Sequence, residues 1–235
     1  MQSQPTNLPT GVEPLHVDHS HWYTPAEELT PLPEQVTPFT DIVAVICDED
    51  WTQSCSALLS VRRIVRHDSD AFKVHSCYAL GKCILQTRNL RSVVCKTALL
   101  CCTEILETYE EELLFSDEDF ATEVLSKLIE VSSSGKRFLA QQSRHALQAF
   151  LNCVSPAKFI SFALSVVEHP SPMFRSIVVD LIRELLWSER SSMLQVLQLK
   201  CSCSSQVYIC SIGRSSPSTM EIKIGNVGKL LMTVI

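Results

Sequence analysis

Between residues 39 and 199 the sequence holds very little that stops a helix: two glycines, Gly81 and Gly135, and three prolines, Pro156, Pro170 and Pro172. Leu/Ala/Val-rich segments this poor in breakers, separated by short polar turns, mean helices. Also missing is any uncharged apolar run of about 18 residues, so no membrane span is expected. The N-terminus lacks the basic-then-apolar pattern of a secretory signal. Basic residues are outnumbered, 20 Lys and Arg against 26 Asp and Glu, and the net charge of −6 argues against general nucleic-acid binding, which needs a basic footprint. There is no phosphate loop, no HExxH pair and no nucleophile elbow, so neither an enzyme nor a cofactor is expected.

What is present starts with apolar mass. Hydrophobic residues make up 46% of 235 residues, enough for a sizeable core. The eleven cysteines are an odd number, and most lie inside apolar helical patterns, as at Cys77, Cys83, Cys95, Cys101, Cys102 and Cys153. Without a secretory signal they are expected to be reduced core residues in the cytosol. Two groupings have the residue types of metal sites. His16, Asp18, His19 and His21 are better explained as a polar tail, because a metal site needs a rigid second shell. Cys201, Cys203 and Cys210 lack a fourth ligand and knuckle spacing, so no zinc is expected.

Three regions follow from composition. Residues 1–38 hold seven of the eleven prolines, five acidic residues and no Lys or Arg, which predicts an extended, disordered Pro-rich lead-in. Residues 39–199 form the helical domain. The patterns predict helices near 39–48, 51–66, 70–86, 91–109, 117–131, 137–153, 156–168 and 172–187. Ser155-Pro156 and Ser171-Pro172 each place an N-cap hydroxyl before a proline at the first helical position. Ser116 with Asp119 resembles a capping box, and Gly135 marks a stop. Met193 to Leu199 could begin a fifth pair. Residues 200–235 are expected to be an irregular tail with strand-like or disordered pieces from Val207.

The eight helices make four pairs, with turns inside the pairs near Trp51, Arg91, Lys136 and Arg175, spaced by 40, 45 and 39 residues. A period of about 40–47 with two helices per unit marks a HEAT-type repeat, and the expected fold is an all-α HEAT/ARM-type helical-repeat solenoid. Stacking puts the turns within pairs on one edge and the connections between pairs on the other. The first edge carries Arg88, Arg91, Lys136, Arg137 and Arg175, apart from an acidic first turn, Asp48-Glu49-Asp50-Trp51. The second carries Glu107, Glu110, Glu111, Glu112, Asp117, Glu118 and Asp119. A basic edge with a tryptophan suits a large acidic protein partner, since Trp and Arg dominate many interfaces and complementary charge steers encounter.

These residues also resemble a family. Asp48-Glu49-Asp50-Trp51, followed by Ala57-Leu58-Leu59 and Arg62-Arg63-Ile64-Val65, resembles the first repeat of a TOG domain. Asn89-Leu90-Arg91-Ser92, with Val94, Lys96 and Ala98, resembles the second repeat of the CLASP-type TOG branch, including its array-type relatives at cilia. Lys136-Arg137-Phe138 with Ala146-Leu147, and then Val154-Ser155-Pro156 with Arg175, resemble the third and fourth. The resemblance covers about 40–190. It implies a non-enzymatic module that binds tubulin or microtubules through its intra-repeat loops and regulates their dynamics, in the cytoplasm and on the cytoskeleton, at the spindle or cilium. By matching position, Trp51 would pack on tubulin, and Arg91, Lys136, Arg137 and Arg175 would be basic loop contacts. Other cytoskeletal proteins are further expected partners. TOG domains usually have about six repeats, whereas this chain has room for four and part of a fifth, so a truncated or alternatively ended form is expected. The competing expectation is a generic HEAT/ARM scaffold for another protein, because fold does not fix function.

Overall fold

The computed structural model describes residues 20–33 and 37–188, together with three C-terminal strands. The body is all-helical. Its ten helices are α1 (Phe39–Val45), α2 (Trp51–His67), α3 (Ser69–Phe72), α4 (Ser76–Gln86), α5 (Ser92–Thr108), α6 (Glu111–Leu114), α7 (Glu118–Ser132), α8 (Arg137–Cys153), α9 (Pro156–Val166) and α10 (Pro172–Ser188). The long helices match the breaker-poor segments of the sequence. The helix expected over 70–86 is instead divided, with a 3₁₀ turn at Lys73–His75 between α3 and α4.

Pairing follows the apolar stripes. α1 packs on α2, α4 on α5, α7 on α8 and α9 on α10, while α2, α5 and α8 stack side by side. α5 is the centre of the stack: Val94, Ala98, Cys102, Ile105 and Leu106 are all buried. Small residues among them let the neighbouring helices approach. In α10 the buried face is formed by Val178, Leu181, Ile182 and Leu185. Burying such apolar side chains contributes about 25 cal/mol per Å² removed from water.

The repeat is written into the contacts between neighbouring units. Arg62 meets Glu104 at a separation of 42 residues, and Tyr109 donates to the Ser69 carbonyl at 40. Lys136 meets Ser92, Cys153 meets Tyr109 and Ser155 meets Glu111, each at 44. Equivalent positions of successive pairs therefore touch, as they must in a stacked solenoid.

Two local expectations are corrected. The cap of α7 is Asp117, whose carboxylate accepts the Asp119 backbone N–H at 3.0 Å, rather than a box built by Ser116 and Asp119. Asp117 sits one residue nearer the helix and reaches the orphan N–H directly.

The second correction concerns the lead-in. Residues 20–33 are not a disordered tail: they form 3₁₀ turns at Ser20–Tyr23 and Ala26–Glu28 and lie across α2 and α5. Apolar anchors hold them. Leu29 is buried, Trp22 packs against the core and the Lys96 ammonium lies 3.9 Å from the Tyr23 ring centroid. Polar pins complete the strap. Arg62, only 1% exposed, donates Nη2 to the Thr24 carbonyl at 2.8 Å and Nη1 to the Trp22 carbonyl at 3.4 Å. Its other face meets Glu104, with Nη2 to Oε1 at 2.6 Å and Nε to both oxygens at 2.9 Å. His67 Nε2 lies 2.7 Å from the Leu29 carbonyl oxygen.

Val207–Tyr208, Thr219–Ile224 and Lys229–Thr233 pair as an antiparallel three-stranded sheet with the middle segment central, so the tail is not wholly irregular. His16, Asp18, His19, Met193 to Leu199, Cys201, Cys203 and Cys210 lie outside the described residues.

Candidate functional site

The site is built from turns. Short polar side chains shape the first two by bonding the backbone two residues on. In the first, Asp48 accepts the Asp50 N–H at 2.8 Å, and Asp50 accepts the Thr52 N–H at 2.9 Å and its hydroxyl at 2.7 Å. The Thr52 hydroxyl and N–H hold the Asp50 carboxyl below the ordinary range, and Arg91 adds to this. In the second, Asn89 accepts the Arg91 N–H at 2.9 Å and donates to Gln86 at 2.8 Å. These bonds start α2 at Trp51 and α5 at Ser92.

Successive turns then touch across the stack. The Arg91 guanidinium sits 5.2 Å from the Trp51 ring centroid, joining the first turn to the second. Lys136 Nζ donates to the Ser92 hydroxyl at 3.1 Å, joining the third to the second. Arg88 lies 3.7 Å from Glu130. Three of the five residues singled out by sequence, Trp51, Arg91 and Lys136, thus form one continuous line along the edge. Arg137 is exposed at the first position of α8, next to Lys136. Among the described residues none of Arg91, Lys136 and Arg137 forms an ion pair. A cleft of about 440 Å³ opens between the second and third turns, lined in part by Arg88, Asn89, Lys136 and Leu139.

Trp51 and Arg175 differ from the simplest expectation. Trp51 is half-buried and packs against the core, so one side of its ring already belongs to the fold. Arg175 donates Nη1 to the carbonyls of His169 at 2.8 Å and Pro170 at 2.9 Å, which closes its own turn.

Three residues on this edge escaped the sequence reading as separate contacts. Leu90 is 96% exposed beside Arg91, Phe138 is exposed beside Arg137, and Met173 is exposed at the second position of α10. They stand just before, or within the first turn of, the second helix of each pair, where Trp51 stands in the first. The signal was an apolar residue at a helix start with no place in the helix's buried stripe.

The connection edge is different in kind. Glu111, buried on α6, lies 2.5 Å from Lys158 and accepts the Ser155 N–H at 2.7 Å. Burial pushes its carboxyl upward, but Lys158 and Ser155 outweigh this and hold it below the ordinary value. Glu107, Glu110, Glu112, Asp117, Glu118 and Asp119 are exposed around it.

Burial raises the Cys55, Cys95 and Cys153 thiols to about 11, which keeps them protonated. Among the described residues no group of His, Cys, Asp and Glu has the arrangement of a metal site, and no helix is long and apolar enough to cross a membrane.

No protein-family model matches the chain. It is distantly similar to the TOG array regulator of axonemal microtubules protein 1 of Mus musculus, 25% identical over 145 residues, which is 62% of this chain. The protein of the same name from Homo sapiens is 24% identical over 144 residues, 61% of this chain. The chain spans only 8% of the length of either relative. A TOG-like helical family is what these two likenesses support.

Proposed function

We propose that the helical body is a TOG-type HEAT-repeat module that binds tubulin or microtubules through its turn edge and does no chemistry of its own. The observation carrying this reading is the line Trp51–Arg91–Ser92–Lys136, in which three successive turns present aromatic and cationic groups on one edge. Leu90, Phe138 and Met173 add apolar contact area between the charges. Such a strip fits a folded protein surface that is acidic with apolar recesses, since cations steer the encounter and desolvated apolar or aromatic anchors hold it. The names of the two relatives support a microtubule partner, and with it a place on the cytoskeleton, at the cilium.

In this reading Arg91, Lys136 and Arg137 contact the partner directly. Trp51 supplies the exposed part of its ring and a platform for Arg91. Arg175 positions the fourth turn. Any preference for curved free tubulin or the straight lattice decides whether the module aids growth or pausing, because a ligand shifts an equilibrium only by its differential affinity.

The test is gel filtration with free tubulin and co-sedimentation with stabilised microtubules, each at two salt concentrations. Binding that weakens with salt is expected, because exposed charges are screened beyond about 10 Å at 0.1 M. A well-folded chain that binds neither form would contradict the tubulin reading and leave the generic scaffold.

A further inference from the structure

The cleft of about 440 Å³ between the second and third turns has one carboxylate among its lining residues, Glu130 of α7. That carboxylate is held loosely. Glu130 Oε2 lies 3.7 Å from Arg88 Nε and 3.9 Å from Lys127 Nζ, both too long for a hydrogen bond. Exposed pairs of this kind contribute little to stability. The Arg88 side chain is 61% exposed and, among the described residues, its guanidinium donates no hydrogen bond. Arg175, by contrast, gives its Nη1 to two backbone carbonyls. Arg88 is a cation beside a recess with its donors unspent.

The charges around the cleft are mostly positive. The second turn contributes Arg88, with Arg91 three residues on. The third turn contributes Lys136, α7 contributes Lys127 beside Glu130, and α8 opens with Arg137. The N-terminus of α8 adds its partial positive charge. Other carboxylates lie elsewhere. Glu123, the next one back along α7, is about 10 Å away, two turns of helix. Glu118 and Asp119 stand at the start of α7, on the connection edge. Asp48, Glu49 and Asp50 belong to the first turn, which meets the second through Trp51 and Arg91 rather than through the cleft. Burial pushes the Cys95 thiol up and the Lys136 charge opposes it, so the field of Lys136 reaches the cleft wall. Val131 and Leu139 line the cleft beside these groups.

We propose that Glu130 is a stand-in, and that the cleft takes a glutamate side chain of the bound protein, whose carboxylate replaces Glu130 on the Arg88 guanidinium and faces Lys136 on its other side. The inference rests on the turn edge as a docking surface. It adds Arg88 as the residue that reads the partner's charge and Glu130 as the residue that limits affinity. A glutamate fits because its carboxylate matches the guanidinium fork in two parallel hydrogen bonds, while its methylenes meet Val131 and Leu139. The loose internal pair makes the exchange inexpensive. A phosphate group fits poorly, since phosphate sites gather clustered arginines and a second negative charge would stand against Glu130.

The experiment uses the full chain at low salt with two probes, fluorescein-labelled hexaglutamate in fluorescence anisotropy and free tubulin on gel filtration. Glu130→Gln should tighten hexaglutamate binding by about threefold or more, and Arg88→Ala should weaken it by about as much. In the Arg88→Ala background the gain from Glu130→Gln should be lost, because the two residues act through one contact. Arg88→Lys should recover only part of the affinity, lacking the fork. Circular dichroism should be unchanged throughout. Hexaglutamate that does not bind, a Glu130→Gln variant that binds no tighter, or a gain undiminished without Arg88 would overturn the proposal. Inorganic phosphate that displaces the peptide better than chloride at equal ionic strength would overturn it too, by making the cleft a phosphate site. Tubulin binding lost in Arg91→Glu/Lys136→Glu but unmoved by the Arg88 and Glu130 variants would overturn this proposal and leave the turn-edge reading standing. Hexaglutamate that follows the expected pattern while tubulin does not bind would support the cleft and overturn the tubulin reading alone.

Discussion

The two edges of the solenoid carry charge of opposite sign and use it differently. On the connection edge the one carboxylate that turns inward, Glu111, is consumed by the fold: Lys158 and the Ser155 N–H take it, and it ties α6 to the start of α9. On the turn edge two of the cations lean on groups that leave their charge outward. Arg91 lies over an aromatic ring and Lys136 on a hydroxyl. Arg62 makes the contrast sharper. Buried under the strap, it spends its donors on Glu104 and on two backbone carbonyls. A charge compensated inside the fold contributes to the native state; one displayed beside exposed apolar groups is available to a partner.

Breaking the inner set should give the largest effect. Arg62→Ala leaves the mostly buried Glu104 without its partner and frees the strap from α2, and should destabilise the chain by about 3–5 kcal/mol in denaturant unfolding. Reversing the displayed set should do the opposite. Arg91→Glu combined with Lys136→Glu should lower tubulin affinity by more than about tenfold while changing stability by no more than about 1 kcal/mol. Trp51→Ala sits between the two, because the ring packs against the core on one side and carries Arg91 on the other, so it should lose both binding and some stability.

Glu111→Gln should cost about 1–3 kcal/mol at neutral pH. The sign of its pH dependence follows from the direction of the shift. The folded carboxyl lies below its ordinary value of 4.5, so its contribution is complete above that value and is lost as pH falls through the lower folded value. The stability curves of wild type and Glu111→Gln should therefore converge on acidification, and curves that stay parallel would show that Glu111 acts through packing instead. Phe138→Ser is the smallest change, a loss of affinity within about tenfold and little change in stability, since the ring is largely outside the core.

Much of this was legible in the sequence because the repeats are regular. Pro156 and Pro172 begin α9 and α10 where their serine–proline pairs predict, and Trp51 begins α2. The turn positions followed from the breaker-poor segments and set the period, and the line through Trp51, Arg91 and Lys136 follows from stacking. What was hidden depends on contacts distant in the chain. Prolines and the lack of basic residues made 1–38 resemble a free tail, yet Trp22, Tyr23 and Leu29 bind α2 and α5 because Arg62 and Lys96 come to meet them. Arg175 resembled its neighbours in the repeat pattern, but the carbonyls of His169 and Pro170 lie within reach and hold it. Leu90 and Phe138 were visible as letters in the motif, and only the fold shows that they are exposed.

The most direct measurement sets the two edges against each other in one assay. Wild type, the Arg91→Glu/Lys136→Glu variant and a Glu110→Lys/Glu112→Lys variant of the connection edge would be run with free tubulin on gel filtration, with helical content matched by circular dichroism. The account predicts that the turn-edge variant loses the complex and that the connection-edge variant keeps it. Loss in the connection-edge variant, with the turn-edge variant binding as wild type, would contradict it.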